Sequence, residues 1–169
     1  IIDATNTIYF IEINPRLQVE HALTEQICDV DLVKMQFQIA TKKPLVHVNH
    51  YRESIHAIEV RIYAEDVEKD FSRVSGVIER LHFPRGAHVR IESASMVGDR
   101  VAPHFDGLIA KIIISGSHRS EAINRLSIAL NELMIQGVKT NSDCIKAIVN
   151  HNDFLTATVG SMDEYTSSL

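Results

Sequence analysis

Along this chain the hydrophobic period changes several times, and each change predicts an element. Thr7 to Asn14 (TIYFIEIN) reads as a strand. Tyr9, Ile11 and Ile13 make one wholly apolar face, while Ile8 and Phe10 continue into Glu12 and Asn14 on the other. Pro15 stops the ladder and holds Asn14 extended. Asp29 to Lys42 has helical spacing through Leu32, Met35 and Ile39, with Asp31 as its cap and Lys43-Pro44 as its end. Ile55 to Tyr63 alternates again: Ile58, Val60 and Ile62 on one face, Glu59, Arg61 and Tyr63 on the other. Gly76 to Phe83, His88 to Glu92 and Leu108 to Ser115 are further strand-like runs, punctuated by Pro84, Gly86, Gly98, Pro103 and Gly107. Arg119 to Ile135 is an amphipathic helix carrying Ile123, Leu126, Leu130 and Leu133 on one side, with Gly137 as its close. Thr140 with Asp143 fits a capping box for a last helix whose buried stripe is Ile145, Ile148 and Val149.

A strand and helices, then several strands, then two helices make an α+β order. The polar crossing from Leu45 to Ser54 divides it into an N-terminal part (1–45), a linker (46–56) and a C-terminal unit (57–160). The 169 residues, 45% hydrophobic and 23% charged, have globular composition. A formal net charge of −5 disfavours nucleic acid or an acidic membrane as partner, because no basic excess is present to neutralise phosphates. The two cysteines, Cys28 and Cys144, lie in apolar helix-like contexts and read as small core residues of a reducing compartment. No apolar run reaches membrane-spanning length and no signal peptide is visible. The chain opens Ile-Ile without Met and reads as a piece of a longer protein.

The candidate chemistry sits just past the first strand. In FIEINPRLQVEH (10–21), Glu12, Asn14, Arg16, Gln18 and Glu20 recur at every second residue, which places them on one side if the chain stays extended. A carboxylate beside an amide suits Mg²⁺ that also takes substrate phosphate oxygens. A guanidinium fork suits a planar anion such as bicarbonate, and a nearby free carboxylate suits a general base. The plainer reading of the same residues is an edge strand entering a solvated loop.

FIEINPRLQVEH, followed by LTEQICDVDLVKMQFQIA, resembles the biotin carboxylase family of ATP-grasp enzymes. HAIEVRIYAED, SGVIERLHFP, PHFDGLIAKIIISG and ELMIQGVKTN resemble successive blocks of that family's C-terminal domain. The resemblance implies the tail of an ATP-grasp domain followed by that domain, a mixed or antiparallel sheet with flanking helices. It implies that Glu12 and Asn14 bind the Mg²⁺ (or Mn²⁺) of ATP, and that Arg16, Gln18 and the Val19 N–H hold bicarbonate. By the same resemblance Glu20 is the general base, and Arg61 contacts bicarbonate and the ureido oxygen of biotin. The implied reaction runs through carboxyphosphate to carboxylated biotin on a carrier protein or domain, served onward by a carboxyltransferase, in a homodimeric enzyme. Its first setting would be acetyl-CoA carboxylase and fatty acid biosynthesis in the cytoplasm, or the mitochondrial matrix in a eukaryote. The final acceptor is not implied, because it binds the transferase.

The pattern is incomplete. The family's phosphate-binding lysine, Gly-rich lid and second metal carboxylate fall upstream of the motif, and Asp3 is out of register for the last. Phe105 stands where the family has Tyr. Asp106 reads either as a cleft residue or as a turn residue before a strand. Arg90 resembles the dimer-contact segment, or is an exposed strand arginine. His21 either orients Glu20 or packs. His47-x-x-His50 has ligand spacing without further ligands nearby and reads as solvated linker. Two other functions remain: another ATP-grasp ligase of the carbamoyl phosphate synthetase kind, and a non-catalytic subunit-interaction module.

Overall fold

A computed structural model of the chain describes residues 7–45, 55–102, 104–152 and 154. Two short helices come first, α1 (His21–Cys28) and α2 (Leu32–Ala40). The strands β1 (His56–Tyr63), β2 (Glu65–Asp66), β3 (Ser72–Arg73), β4 (Gly76–Val77), β5 (Arg80–His82), β6 (Val89–Glu92), β7 (Arg100–Val101) and β8 (Leu108–Gly116) follow. The chain continues through α3 (Arg119–Glu132), β9 (Met134–Gln136) and α4 (Ser142–Val149). The class is α+β.

The main sheet has the order β1-β8-β6, with both pairings antiparallel. The apolar run of β8 explains its central place. A strand paired on both edges and covered on both faces keeps no solvated side, so Ile109, Ala110, Ile112, Ile113 and Ile114 are all buried. One face of the sheet is the core. The rows Ile58–Ile114–Val89 and Val60–Ile112–Ile91 run across it and pack, with Ile62, against Ile123, Leu126 and Leu130 of α3. Losing a side chain such as Ile112, fully buried here, costs about 2–5 kcal/mol in comparable cores. The opposite face is polar, and α1 lies on it through its buried Ala22 and Glu25.

Four local expectations give way. Thr7–Asn14 forms no ladder among the described residues; Ile8 alone makes a bridge. Ile8, Tyr9, Phe10, Ile11 and Ile13 are 54–78% exposed, as befits a strand pattern with no neighbouring strand among the described residues. The extended path past Pro15 is broken at residues 19 and 20 by a turn that opens α1, a helix the alternating polar pattern conceals. Gly137 closes β9 rather than α3. It has φ +94, and a Cβ there would lie 2.0 Å from the Val77 carbonyl, so only glycine lets the two segments meet. The Thr140/Asp143 capping box is absent. Asn141 caps α4 by position, and its side chain turns to β1 instead. Asp31 does cap α2, accepting a 2.7 Å bond from the Lys34 N–H. The linker expected at 46–56, with His47 and His50, lies almost wholly outside the described residues, as does Asp3.

Candidate active site

Glu12, Asn14, Arg16, Gln18 and Glu20 line one open cleft of about 430 Å³, together with Leu17, His21, Thr24 and Leu32. The turn, rather than a continuous strand, brings Glu20 to it. At the rim Asn14 Nδ2 donates to Glu12 Oε1 at 3.2 Å. One carboxylate and one amide at adjoining positions form an oxygen donor set that fits Mg²⁺ completed by water and phosphate oxygens. Arg16 is exposed, with Nη1 donating to the Leu17 carbonyl at 3.3 Å. Its fork therefore keeps donors for an incoming anion.

The polar face of the main sheet holds this loop from below. Arg61 on β1, Lys111 on β8 and Glu92 on β6 form one cross-strand row. Each reaches a successive residue of the loop. Arg61 Nη2 donates to Glu20 Oε2 at 2.9 Å. Lys111 Nζ donates to the Val19 carbonyl at 2.8 Å. Glu92 Oε2 lies 3.9 Å from His21 Nε2. His21 Nδ1 sits 2.8 Å from the Gln18 carbonyl, which can only accept, so Nδ1 carries the proton. His21 thus orients the loop rather than Glu20 directly.

A second set of bonds pins α1. Arg90 Nη2 donates to Glu25 Oε2 at 2.7 Å and also pairs with Glu92. Glu25 Oε1 accepts the Leu32 N–H at 2.7 Å, so one buried carboxylate joins α1, α2 and the sheet. Burial by itself raises the Glu92 carboxyl, but hydrogen bonds from Lys111 and Arg90 outweigh it and hold the group below the usual carboxylate range. Its stabilising charge is present above the unfolded value near 4.5 and is lost as pH falls through the lower folded value. His21, Glu25 and Glu92 bring their ligand atoms within 4.8 Å of one another, the grouping of a metal site. Arg90 and Lys111 already neutralise its carboxylates, which makes it an ion-pair network. Replacing Lys111 by Met should cost roughly 3 kcal/mol in urea unfolding, the low end for breaking a buried pair, because Arg90 stays on Glu92.

Asn141 fixes the backbone of the arginine strand. Its Nδ2 donates to the Arg61 carbonyl at 3.1 Å and its Oδ1 accepts from the Tyr63 N–H at 2.9 Å. On the edge of β1 away from β8 this amide side chain bonds the backbone as a neighbouring strand would. Glu59, two residues before Arg61, is buried on the same face, and burial raises its carboxyl above the ordinary value.

Sequence reasoning did not single out Lys111, Glu92, Glu25, Asn141 or Glu59. The only trace of Lys111 is a lone cation inside an otherwise apolar run. Asp106 accepts from the Leu108 N–H at 3.2 Å, the behaviour of a turn residue, and lines a different cleft with the exposed Phe105. Arg90 is bound within the chain rather than free on a strand. Cys28 and Cys144 are free thiols; burial raises the Cys144 thiol.

Residues 59–162 match the biotin carboxylase C-terminal domain family, and residues 1–48 match the carbamoyl-phosphate synthase L chain ATP binding domain. The chain is 44% identical over 155 residues to the biotin carboxylase of Halalkalibacterium halodurans, covering 91% of this chain and 34% of that protein. It is 37% identical over 164 residues to human mitochondrial pyruvate carboxylase, covering 94% and 14%. Among solved structures it resembles the biotin carboxylase domain of Hydrogenobacter thermophilus 2-oxoglutarate carboxylase, determined as a dimer with MgADP, ADP and bicarbonate. That likeness has TM-score 0.84 and 39% identity over 92% of this chain and 34% of that one. It also resembles the biotin carboxylase subunit of a pyruvate carboxylase, with TM-score 0.89 and 37% identity over 98% of this chain and 37% of that one. The chain spans about a third of the length of the bacterial carboxylase it matches.

Proposed function

The chain belongs to the biotin carboxylase C-terminal domain family, and on that premise we propose that it forms the bicarbonate- and biotin-facing part of a site that carboxylates carrier-borne biotin with ATP. Residues 1–45 close an ATP-grasp domain and residues 57–160 are the C-terminal domain that supports it. The observation that carries this reading is the junction between the two. Arg61 from the sheet meets Glu20 from the loop at 2.9 Å, on the rim of a cleft that already holds Arg16 and Gln18.

Arg16 and Gln18, with the Val19 N–H, bind the planar anion and orient it. Glu20 takes the proton of bicarbonate, and the freed oxygen attacks the terminal phosphate of ATP, expelling ADP and giving carboxyphosphate. This breaks into CO₂ and phosphate, the phosphate takes the N1 proton of biotin, and N1 attacks the CO₂. Arg61 then faces the ureido oxygen of biotin and stabilises the negative charge that grows there, the kind of preorganised contact that contributes most in such sites. Glu12 and Asn14 would hold Mg²⁺, which neutralises phosphate oxygens. Lys111 and His21 keep the loop in register while this happens. The partners that follow from this reading are a biotin carrier, a carboxyltransferase and a second copy of the enzyme. Acetyl-CoA carboxylase and fatty acid biosynthesis are one setting such a site would serve, the acceptor being chosen by the transferase. A carbamoyl phosphate synthetase-like ligase shares the Glu-x-Asn-Pro-x-Arg core, but has no use for a biotin-facing arginine on the main sheet.

The test is ADP release by the complete gene product carrying this chain, with and without bicarbonate and free biotin. Turnover that needs bicarbonate and carboxylates biotin is the expected result; turnover with ammonia or glutamine as co-substrate instead would overturn it. The 169-residue chain alone should neither hydrolyse ATP nor bind Mg²⁺–ATP at micromolar concentration in a calorimetric titration, since it carries no glycine-rich phosphate loop. Micromolar binding would show that the nucleotide site lies elsewhere.

A further inference from the structure

The polar face of the sheet holds a buried carboxyl that the proposed reaction does not use. Glu59 and Arg61 are two apart on β1, so both side chains project on the face beneath the loop. The Glu59 side chain is only 5% exposed. Both of its carboxyl oxygens are inaccessible to solvent and have no hydrogen-bond partner among the described residues. A buried carboxyl in that condition is costly, and native structures keep one only for a reason. Arg61 Nε lies 3.6 Å from Oε1, an ion-pair contact just beyond hydrogen-bond length, and the charge of Lys111 also acts on the carboxylate. The other end of the same guanidinium is on Glu20 at 2.9 Å.

We propose that Glu59 is a positioning residue, the second seat of the Arg61 guanidinium, which takes hold of it when Glu20 becomes neutral by accepting a proton. The inference deepens the proposed function and rests on it for the origin of that proton. A planar fork of five N–H donors can serve two carboxylates at once. While Glu20 is anionic it draws Arg61 towards the loop. Once Glu20 carries the bicarbonate proton, that attraction falls, and a long half-exposed side chain without a second anchor would turn to solvent. Glu59 prevents this. Closing 3.6 Å to a hydrogen bond of about 3.0 Å needs only a small slide along the fork. Arg61 then stays aimed into the cleft for the biotin step, and its carbonyl, fixed by Asn141, does not move. Lys111 on β8 cannot take the role, because its ammonium is already engaged by the Val19 carbonyl and Glu92.

Two measurements test the seat. The first does not depend on activity. In the ¹⁵N-labelled 169-residue chain the Arg61 Nε–H signal is assigned by loss in Arg61→Lys. Glu20→Gln should slow its exchange with water at least tenfold, and Glu20→Gln combined with Glu59→Gln should reverse the effect. Exchange that is equally fast with and without Glu59 overturns the proposal. The second uses the complete gene product. Glu59→Gln should lower the ratio of biotin carboxylation to biotin-independent ATP cleavage at least tenfold, with the loss in kcat rather than in the KM for bicarbonate. An unchanged ratio, whether both rates are retained or both fall together, overturns the role. If the wild-type protein has no bicarbonate-dependent turnover, the proposed function fails by itself, and the exchange measurement still decides whether Glu59 is the second seat.

Discussion

Replacing Glu20 by Gln lowers bicarbonate-dependent ATP hydrolysis about 10²–10⁴-fold in the complete gene product, the usual effect of removing a general base. The amide keeps the shape of the side chain and loses its basicity. Glu20 is the N-cap residue of α1 but its side chain makes no capping hydrogen bond, so the substitution costs the helix only the weak attraction of a charge to its N-terminus. Its one charged partner among the described residues is Arg61, and with the two side chains 45% and 37% exposed that pair is worth at most about 1 kcal/mol to folding. Binding of Mg²⁺–ATP should therefore survive in the variant, because the metal would be held by Glu12 and Asn14, which the substitution leaves in the cleft. Phosphate release measured against bicarbonate concentration, alongside nucleotide titration, separates the two effects. Turnover at the wild-type rate removes Glu20 from the role of base.

Arg61→Ala should lower biotin carboxylation by about 2.7–4 kcal/mol in activation free energy, roughly 10²–10³-fold, as for other donors aimed at a developing oxyanion. The fold should persist. The apolar side of β1 is made by Ile58, Val60 and Ile62, and the strand edge at Arg61 is closed by Asn141 through backbone atoms that alanine retains. A modest loss of stability is expected from Glu59, which keeps only Lys111 as a neighbouring cation. Because burial raises the Glu59 carboxyl, it penalises the charged form, and that penalty sets in as pH rises from the unfolded value of 4.5 through the folded one. The loss in Arg61→Ala should accordingly be smaller in mildly acidic urea melts than at neutral pH. If the variant unfolds and its folded fraction carboxylates biotin normally, Arg61 is a structural residue.

Both residues were legible in the sequence, through a motif and not through a period. Alternation placed Glu12 to Glu20 on one strand face. They do share a cleft, but by another route: Pro15 and the turn before His21 bend the loop, and α1 begins where alternation was expected to continue. A period of two in polar residues reports spacing only, and cannot tell an extended strand from a loop folded over a helix end.

The second half was read more closely because its patterns report burial directly. Ile58–Val60–Ile62 specify which side of β1 meets α3, and the apolar run of β8 marks it as the strand covered on both faces. Missed elements such as β7 and β9 are two and three residues long, too short for any period to register. Gly137 was taken for a helix end because glycine after a helix commonly is one. Its actual constraint, the Val77 carbonyl, lies 60 residues away.

The sequence alone therefore determined the class and the core faces of β1 and α3, and it singled out the candidate groups for anion and metal binding. These depend on local period and on residue chemistry. Only the tertiary structure decided how those groups are held. Arg61, Lys111 and Glu92 form a row because antiparallel pairing sets them side by side, although they lie up to 50 positions apart. The row meets Glu20, Val19 and His21 because α1 rests on the polar face of that sheet. A charge on a strand carries no local sign of its partner, since the attraction that selects it acts across space and is settled only when the faces pack.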